Sequence, residues 1–238
     1  MYKKPRMVPA ILFAAAVFPL CAIAGPLNGG INFSGDVTVT TNTTTGAGTL
    51  TFNQVAGQTY TFVIDSATGD FAGLSGGGKA STIGTSIAPV DTPLDIPDFL
   101  MFNNDPTLSF TLTYVYAGVD NPAGCFLPAA PGVTCTPPNT PYNLQDLAAN
   151  NASASFVVQG FLLKNGVESP ATVTFTAAST GESFQDLLAN QAAGGSNKIT
   201  YGAQLITIAS APEPATYSSI MLGGILVLAG VIRRRRLQ

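Results

Sequence analysis

Four aspartates, Asp91, Asp95, Asp98 and Asp105, fall in one proline-punctuated stretch, VDTPLDIPDFLMFNNDP. Carboxylate oxygens of this kind are what calcium takes. Their spacing of 4, 3 and 7 residues fits no standard calcium loop, and Pro93, Pro97 and Pro106 imply an extended path where a cation needs a wrapped one. Paired carboxylates also serve glycoside hydrolysis, with Glu168 and Glu182 as further candidates, but that chemistry demands a set separation across a cleft. The chain has no tryptophan, so Tyr114, Tyr116 and Tyr201 are the rings left to face a sugar. The run GLSGGGKAST at 73–82 approaches a phosphate loop, yet Ala80 stands where the hydroxyl residue belongs and no helix pattern follows. It reads as a flexible surface turn. With no histidine anywhere, Ser-His-Asp, Cys-His and His-metal centres are excluded. The expectation is a chain with no catalytic residue, no metal and no cofactor.

The elements that would position these groups are strands. Ile31, Phe33, Gly35, Val37 and Val39 alternate with polar residues, the period of a half-buried strand. Leu50 and Phe52, then Tyr60, Phe62 and Ile64, continue it. In TLSFTLTYVY the alternation sets Leu108, Phe110, Leu112, Tyr114 and Tyr116 on one face, and further strands are expected at 154–163, 171–178 and 199–208. Two stretches differ. Leu144, Leu147 and Ala148 within 142–150, and Phe184, Leu187 and Leu188 within 182–191, recur at i, i+3 and i+4, predicting two short amphipathic helices. The pattern predicts a mainly β protein, an antiparallel β-sandwich of about seven strands with one or two short helices.

Charge is segregated along the chain. Seven of its ten Lys and Arg lie at residues 3–6 and 233–236, leaving Lys79, Lys164 and Lys198 against twelve acids in between, a formal surplus of nine negative charges. So acidic a body gains nothing from counterion release, which argues against nucleic acid as a partner. The N-terminus carries Lys3, Lys4 and Arg6, a mostly apolar stretch from Val8 to Leu20, and small residues Ala22 and Ala24 before Gly25. That is the pattern of a secretory signal peptide, residues 1–24, with cleavage before Gly25. Two cysteines then remain, Cys125 and Cys135, in a proline-rich stretch. Two thiols without histidine make a poor zinc site, so in an exported chain the pair is expected as a disulfide.

The C-terminus reads APEPATYSSIMLGGILVLAGVIRRRRLQ. A Pro212-Glu213-Pro214 triplet is followed by an apolar run, expected as a transmembrane helix over 217–232, and by Arg233, Arg234, Arg235 and Arg236. Its sixteen residues would reach about 24 Å as a helix, a little under a bilayer core, and the arginines favour a cytoplasmic end. These ordered features resemble the PEP-CTERM sorting signal of Gram-negative bacteria over residues 211–238. The stretch GDFAGLSGG in the body is also similar to the exported domains of that group. The resemblance implies a transient partner, the membrane protease or transpeptidase exosortase, which acts near Pro212, Glu213 and Pro214, with Arg233 to Arg236 as the cytoplasmic stop. It implies an exported domain at 25–210, transiently anchored and then delivered to the cell surface or outside, with a role in extracellular polysaccharide or biofilm. The expected function is therefore a noncatalytic surface or matrix protein; a sugar- or calcium-binding adhesive module is the alternative, and a carbohydrate-active enzyme a third.

Overall fold

The computed structural model of the protein describes residues 26–41, 48–84, 90–148 and 150–208. The expected signal peptide with Ala22, Ala24 and Gly25 lies outside those residues, as does the sorting tail with Pro212 to Pro214, the 217–232 segment and Arg233 to Arg236. Among the described residues no helix is long and apolar enough to cross a membrane.

The twelve described strands are all antiparallel to their partners. In chain order they are β1 (Gly30–Thr41), β2 (Gly48–Asn53), β3 (Phe62–Ala67), β4 (Gly77–Ala80), β5 (Ile83–Gly84), β6 (Pro93–Phe102), β7 (Asp105–Val115), β8 (Thr134–Cys135), β9 (Asn143–Ala148), β10 (Asn151–Lys164), β11 (Val167–Thr180) and β12 (Ser196–Thr207). Among the described residues one α-helix, α1 (Phe184–Ala192), joins β11 to β12. Hydrogen bonding runs β11-β12-β1-β3-β4-β6-β7-β10, and β10 pairs in turn with β11. Eight strands thus close into a barrel, and the expected two-layer sandwich is not what forms.

Alternation alone cannot separate the two folds, because a strand with one buried face looks the same in either. Closure rests on long-range pairing and on local room to bend. Gly160 is one such point: a Cβ there would sit 1.9 Å from the Thr111 carbonyl oxygen, so β10 meets β7 closely where their register shifts. Gly78 is another, since a Cβ would meet both the Met101 carbonyl oxygen and the Phe62 ring at 2.2 Å. The glycine-rich run expected as a flexible turn therefore supplies a barrel strand, β4, whose bare backbone Phe62 covers. Eight strands enclose an interior that side chains can fill. Phe33, Phe62, Phe99, Phe102 and Phe110 do so, with Phe33 and Phe62 ring centroids 4.7 Å apart.

The outer face mixes polar pairs with exposed apolar side chains, Met101, Phe161, Leu163 and Ile206. Thr40 and Thr49 hydroxyls bond at 2.6 Å, Thr200 donates to Asp36 at 2.8 Å, and Lys198 pairs with Asp36 at 3.0 Å.

Two further expectations are corrected. Leu108, Phe110 and Leu112 point inward, but Tyr114 and Tyr116 do not share their face. Gly160 lies opposite Leu112 and Gln159 opposite Tyr114, so Thr113 is an extra residue, a β-bulge, and Val115 takes the buried position. Residues 142–150 do not form a helix; they hold β9, in which Leu144 and Asp146 are buried and Leu147 is 54% exposed. Pairing to β8 and β10 outweighs the helical spacing. The second expected helix forms as α1, started by a capping box in which Ser183 Oγ accepts from Asp186 N–H and Asp186 accepts from Ser183 N–H.

The expected disulfide joins Cys125 to Cys135, with Cα atoms 5.0 Å apart. It ties a short 3-10 turn, Pro122–Phe126, to β8.

Gly78→Ala should lower the midpoint of thermal unfolding, at a cost of about 1–3 kcal/mol from overpacking; an unchanged melt would contradict the close approach of Phe62 and Met101. Hydrogen bonds from Ser183 hold the Asp186 carboxyl below its usual range. That depressed value contributes stability above the unfolded-state pKa, which is lost as pH falls through the folded value. Ser183→Ala should destabilise by about 1 kcal/mol near neutral pH, and melts taken across the acid range should show the difference from the parent shrinking as Asp186 protonates.

Candidate functional site

Four strands are longer than the barrel needs. Past Gly35, β1 exchanges β3 for β2, and the first residues of β10, Asn151–Ser155, pair with β9 where later ones pair with β7. Pairing between β11 and β12 stops at Ala177 and Tyr201, and α1 bridges the two strands beyond that point. Each strand keeps its inward face as it leaves the barrel. The same alternation that packs Phe33, Val158, Val173 and Leu205 below therefore presents Val37, Phe156, Phe175 and Tyr201 above.

These side chains, with Leu187 and Leu188 of α1 and the loop from Pro137 to Tyr142, line a cavity of about 660 Å³. Ligand sites of drug-sized molecules span roughly 300–1,000 Å³ and are mostly apolar. Its wall includes a row of aromatic rings in successive contact. Tyr142 meets Phe156 edge to face at 5.7 Å, Phe156 stacks on Phe175 at 4.7 Å, and Phe175 meets Tyr201 at 5.7 Å. No Asp, Glu, Lys or Arg is among the described residues lining the cavity.

Both tyrosine hydroxyls are buried and have no hydrogen-bond partner among the described residues. Tyr201 is 3% exposed. Gly35, opposite it in the β1–β12 register, leaves its ring space: a Cβ there would lie 3.0 Å from the hydroxyl. Burial pushes the Tyr142 phenol far above its ordinary range, and burial followed by the charge of Asp36 does the same to Tyr201. Both remain protonated donors at neutral pH.

The roof is fastened by polar contacts, and Asn139, Thr140, Thr176, Gln191 and Asn197 bring polar groups to the lining. Asp146, buried on β9, accepts the Phe184 N–H through Oδ1 at 3.1 Å, a carboxylate at the first turn of α1. Asn197 donates to the Leu187 carbonyl at 3.0 Å and accepts from Asn190 at 2.5 Å. Phe184 packs with Cys135, Leu144 and Ala152, so the disulfide backs the wall that the helix leans on.

The carboxylates singled out in the sequence are dispersed. Asp91 accepts from Ala117 N–H at 3.0 Å and Tyr114 hydroxyl at 3.4 Å. Asp105 accepts from the Thr107 hydroxyl at 2.6 Å and lies 3.8 Å from Lys164. Asp95 and Asp98 fall along β6, Glu168 on β11 and Glu182 just before α1. Among the described residues no three His, Cys, Asp or Glu side chains gather as a metal site. Tyr114 and Tyr116 stand on the outer face, rings 5.0 Å apart, their hydroxyls bonded to Asp91 and Gln159. Tyr201 faces inward, away from them.

Tyr142, Phe156 and Phe175 were not legible as a site. Tyr142 opens a segment with helical spacing, and Phe156 and Phe175 look like ordinary core residues until the pairing Phe156↔Phe175 is known. No family model, curated protein or solved structure matches the chain.

An unpartnered buried hydroxyl contributes nothing to stability, so Tyr142→Phe and Tyr201→Phe should leave ligand-free protein as stable as the parent or slightly more so. A loss above about 1 kcal/mol in denaturant unfolding would show that the hydroxyl has a partner within the chain.

Proposed function

We propose that the protein is an exported, noncatalytic component of the cell surface or extracellular matrix, delivered through a PEP-CTERM-type tail that exosortase recognises. The ordered tail, Pro212-Glu213-Pro214, apolar run and Arg233 to Arg236, carries the reading. The Cys125–Cys135 disulfide supports it, since such bonds persist in oxidising compartments and are rare in the cytosol. The acidic charge balance of the body suits an extracellular setting, and extracellular polysaccharide is the proposed surrounding. The noncatalytic part rests on chemistry: histidine is absent, and no Asp, Glu, Lys or Arg is among the described residues lining the cavity. Dispersal of the Asp91, Asp95, Asp98 and Asp105 carboxylates weighs against both the calcium-binding and the carbohydrate-active alternatives.

Deleting residues 212–214 in a host that carries exosortase should accumulate unprocessed precursor in the membrane fraction. Mass spectrometry of the parent protein should find a mature N-terminus at Gly25 and loss of the arginine cluster. A parent chain that keeps Met1 and Arg233 to Arg236 and remains in the cytoplasm would refute export and sorting together.

A further inference from the structure

We propose that one flank of the barrel, where β10, β11 and β12 run to the end opposite the cavity, rests on a lipid bilayer through Phe161, Leu163, Pro170, Ile206 and Ile208. The inference rests on the reading of residues 217–232 as a membrane anchor, and adds a second, noncovalent contact between the exported domain and the same membrane.

Register brings these side chains together. Phe161 lies opposite Pro170, and the Ile208 N–H donates to the Pro170 carbonyl at 2.8 Å, so the three form one row across three strands. Leu163 and Ile206 stand beside that row at the next outward positions of β10 and β12. All five alternate with buried Leu162, Ser169, Ala171, Leu205 and Thr207, which fixes them on the outer face. Phe161, Leu163, Ile206 and Ile208 are 41%, 42%, 46% and 41% exposed. The next strand, β1, turns Asn32 and Ser34 outward instead, bonded to Ser66 and Asp65 on β3. A contiguous apolar patch beside such polar strands is the mark of a surface that something covers.

Where the chain leaves the domain says what covers it. β12 ends at Thr207, within the patch, and only residues 209–216 separate Ile208 from the apolar run that starts at Tyr217. Fully extended, that linker reaches roughly 30 Å. A tether so short holds the flank near the membrane at an effective concentration of the order of millimolar, where a few apolar side chains suffice for contact. None of the five carries a charge, and Glu168, opposite Leu163, is an acid. The contact is therefore one of apolar burial, open to uncharged lipid and indifferent to salt. Val119, bonded to Asn143 of β9, and Phe126, beside the disulfide, are each 87% exposed, but β9 pairs with the first residues of β10, at the end away from the linker.

The test uses the exported chain, freed of its signal peptide and with its tail intact, reconstituted into phosphatidylcholine liposomes. Its own two cysteines are joined, so a single added cysteine carries the polarity-sensitive dye NBD. Probes on Leu163→Cys and Ile206→Cys should shift to the blue and be quenched by doxyl-labelled lipid, alike at low and high salt. Probes on Ser34→Cys and Val119→Cys should remain in water. Adding Phe161→Asp and Ile208→Asp should abolish the shift and the quenching at position 206 while the chain still floats with the liposomes. Each variant must keep the circular dichroism of the parent; if the double aspartate variant does not, quenching at 163 and 206 set against 34 and 119 carries the test. A chain that does not float with the liposomes removes the anchor and this inference with it. One that floats while 163 and 206 behave as the controls overturns the lipid contact and leaves the anchor standing. Probes at 163 and 206 shielded from aqueous iodide yet unquenched by lipid overturn it as well, and place a second copy of the chain on the flank. Quenching that survives in the folded double aspartate variant also overturns it.

Discussion

Backbone groups buried in a sheet have to be hydrogen-bonded, and two of the long strands meet that demand by changing partners halfway along their length. β10 pairs with β9 over its first residues and with β7 over its last, while β1 pairs with β3 and then β2. On their other edges both keep one neighbour throughout, β11 for β10 and β12 for β1. This exchange closes the barrel below and opens it above without leaving a strand unpaired at the transition. The register shift at Gln159 and Gly160 is its local mark, and Gly160 tolerates the close approach that results.

The upper compartment follows from that geometry. Once β11 and β12 part beyond Ala177 and Tyr201, the inner faces of both need cover, and α1 supplies it with Phe184, Leu187 and Leu188. Few polar contacts hold the helix in place: the Ser183–Asp186 capping box, the Asp146 carboxylate on the Phe184 N–H and the Asn197 bridge to Leu187. Each uses a polar side chain at a helix end or on a flanking strand, and Asn197 itself reaches the cavity wall. The disulfide stiffens the segment behind β9 against which Phe184 rests. A barrel packed tightly with aromatic rings thereby supports a chamber whose shape depends on a nine-residue helix.

Much of this was legible residue by residue. The alternation of Ile31, Phe33, Val37 and Val39 gave β1 its inward face, and Phe184, Leu187 and Leu188 marked α1 correctly. The Cys125–Cys135 pair followed from the lack of other metal ligands. Other features escaped for physical reasons. Barrel and sandwich share the same period along each strand and differ in which distant strands meet. β9 has helical spacing at Leu144, Leu147 and Ala148, but its buried Asp146 makes sense only beside the N-terminus of α1. The glycines at 77 and 78 look like a turn because they lack side chains, whereas the Tyr60 ring covers Gly77 and the Phe62 ring covers Gly78. Tyr114 and Tyr116 left the expected face because one inserted residue, Thr113, inverts everything after it. The cavity itself joins residues from Val37 to Tyr201, and no local window contains it.

The central claim, that strand exchange opens a chamber above a tightly packed barrel, is tested most directly by an experimental density map of the protein. The account predicts an open space of about 660 Å³ bounded by Val37, Phe156, Phe175 and Leu187. Side chains of α1 collapsed onto Phe175, so that no chamber exists, would contradict it.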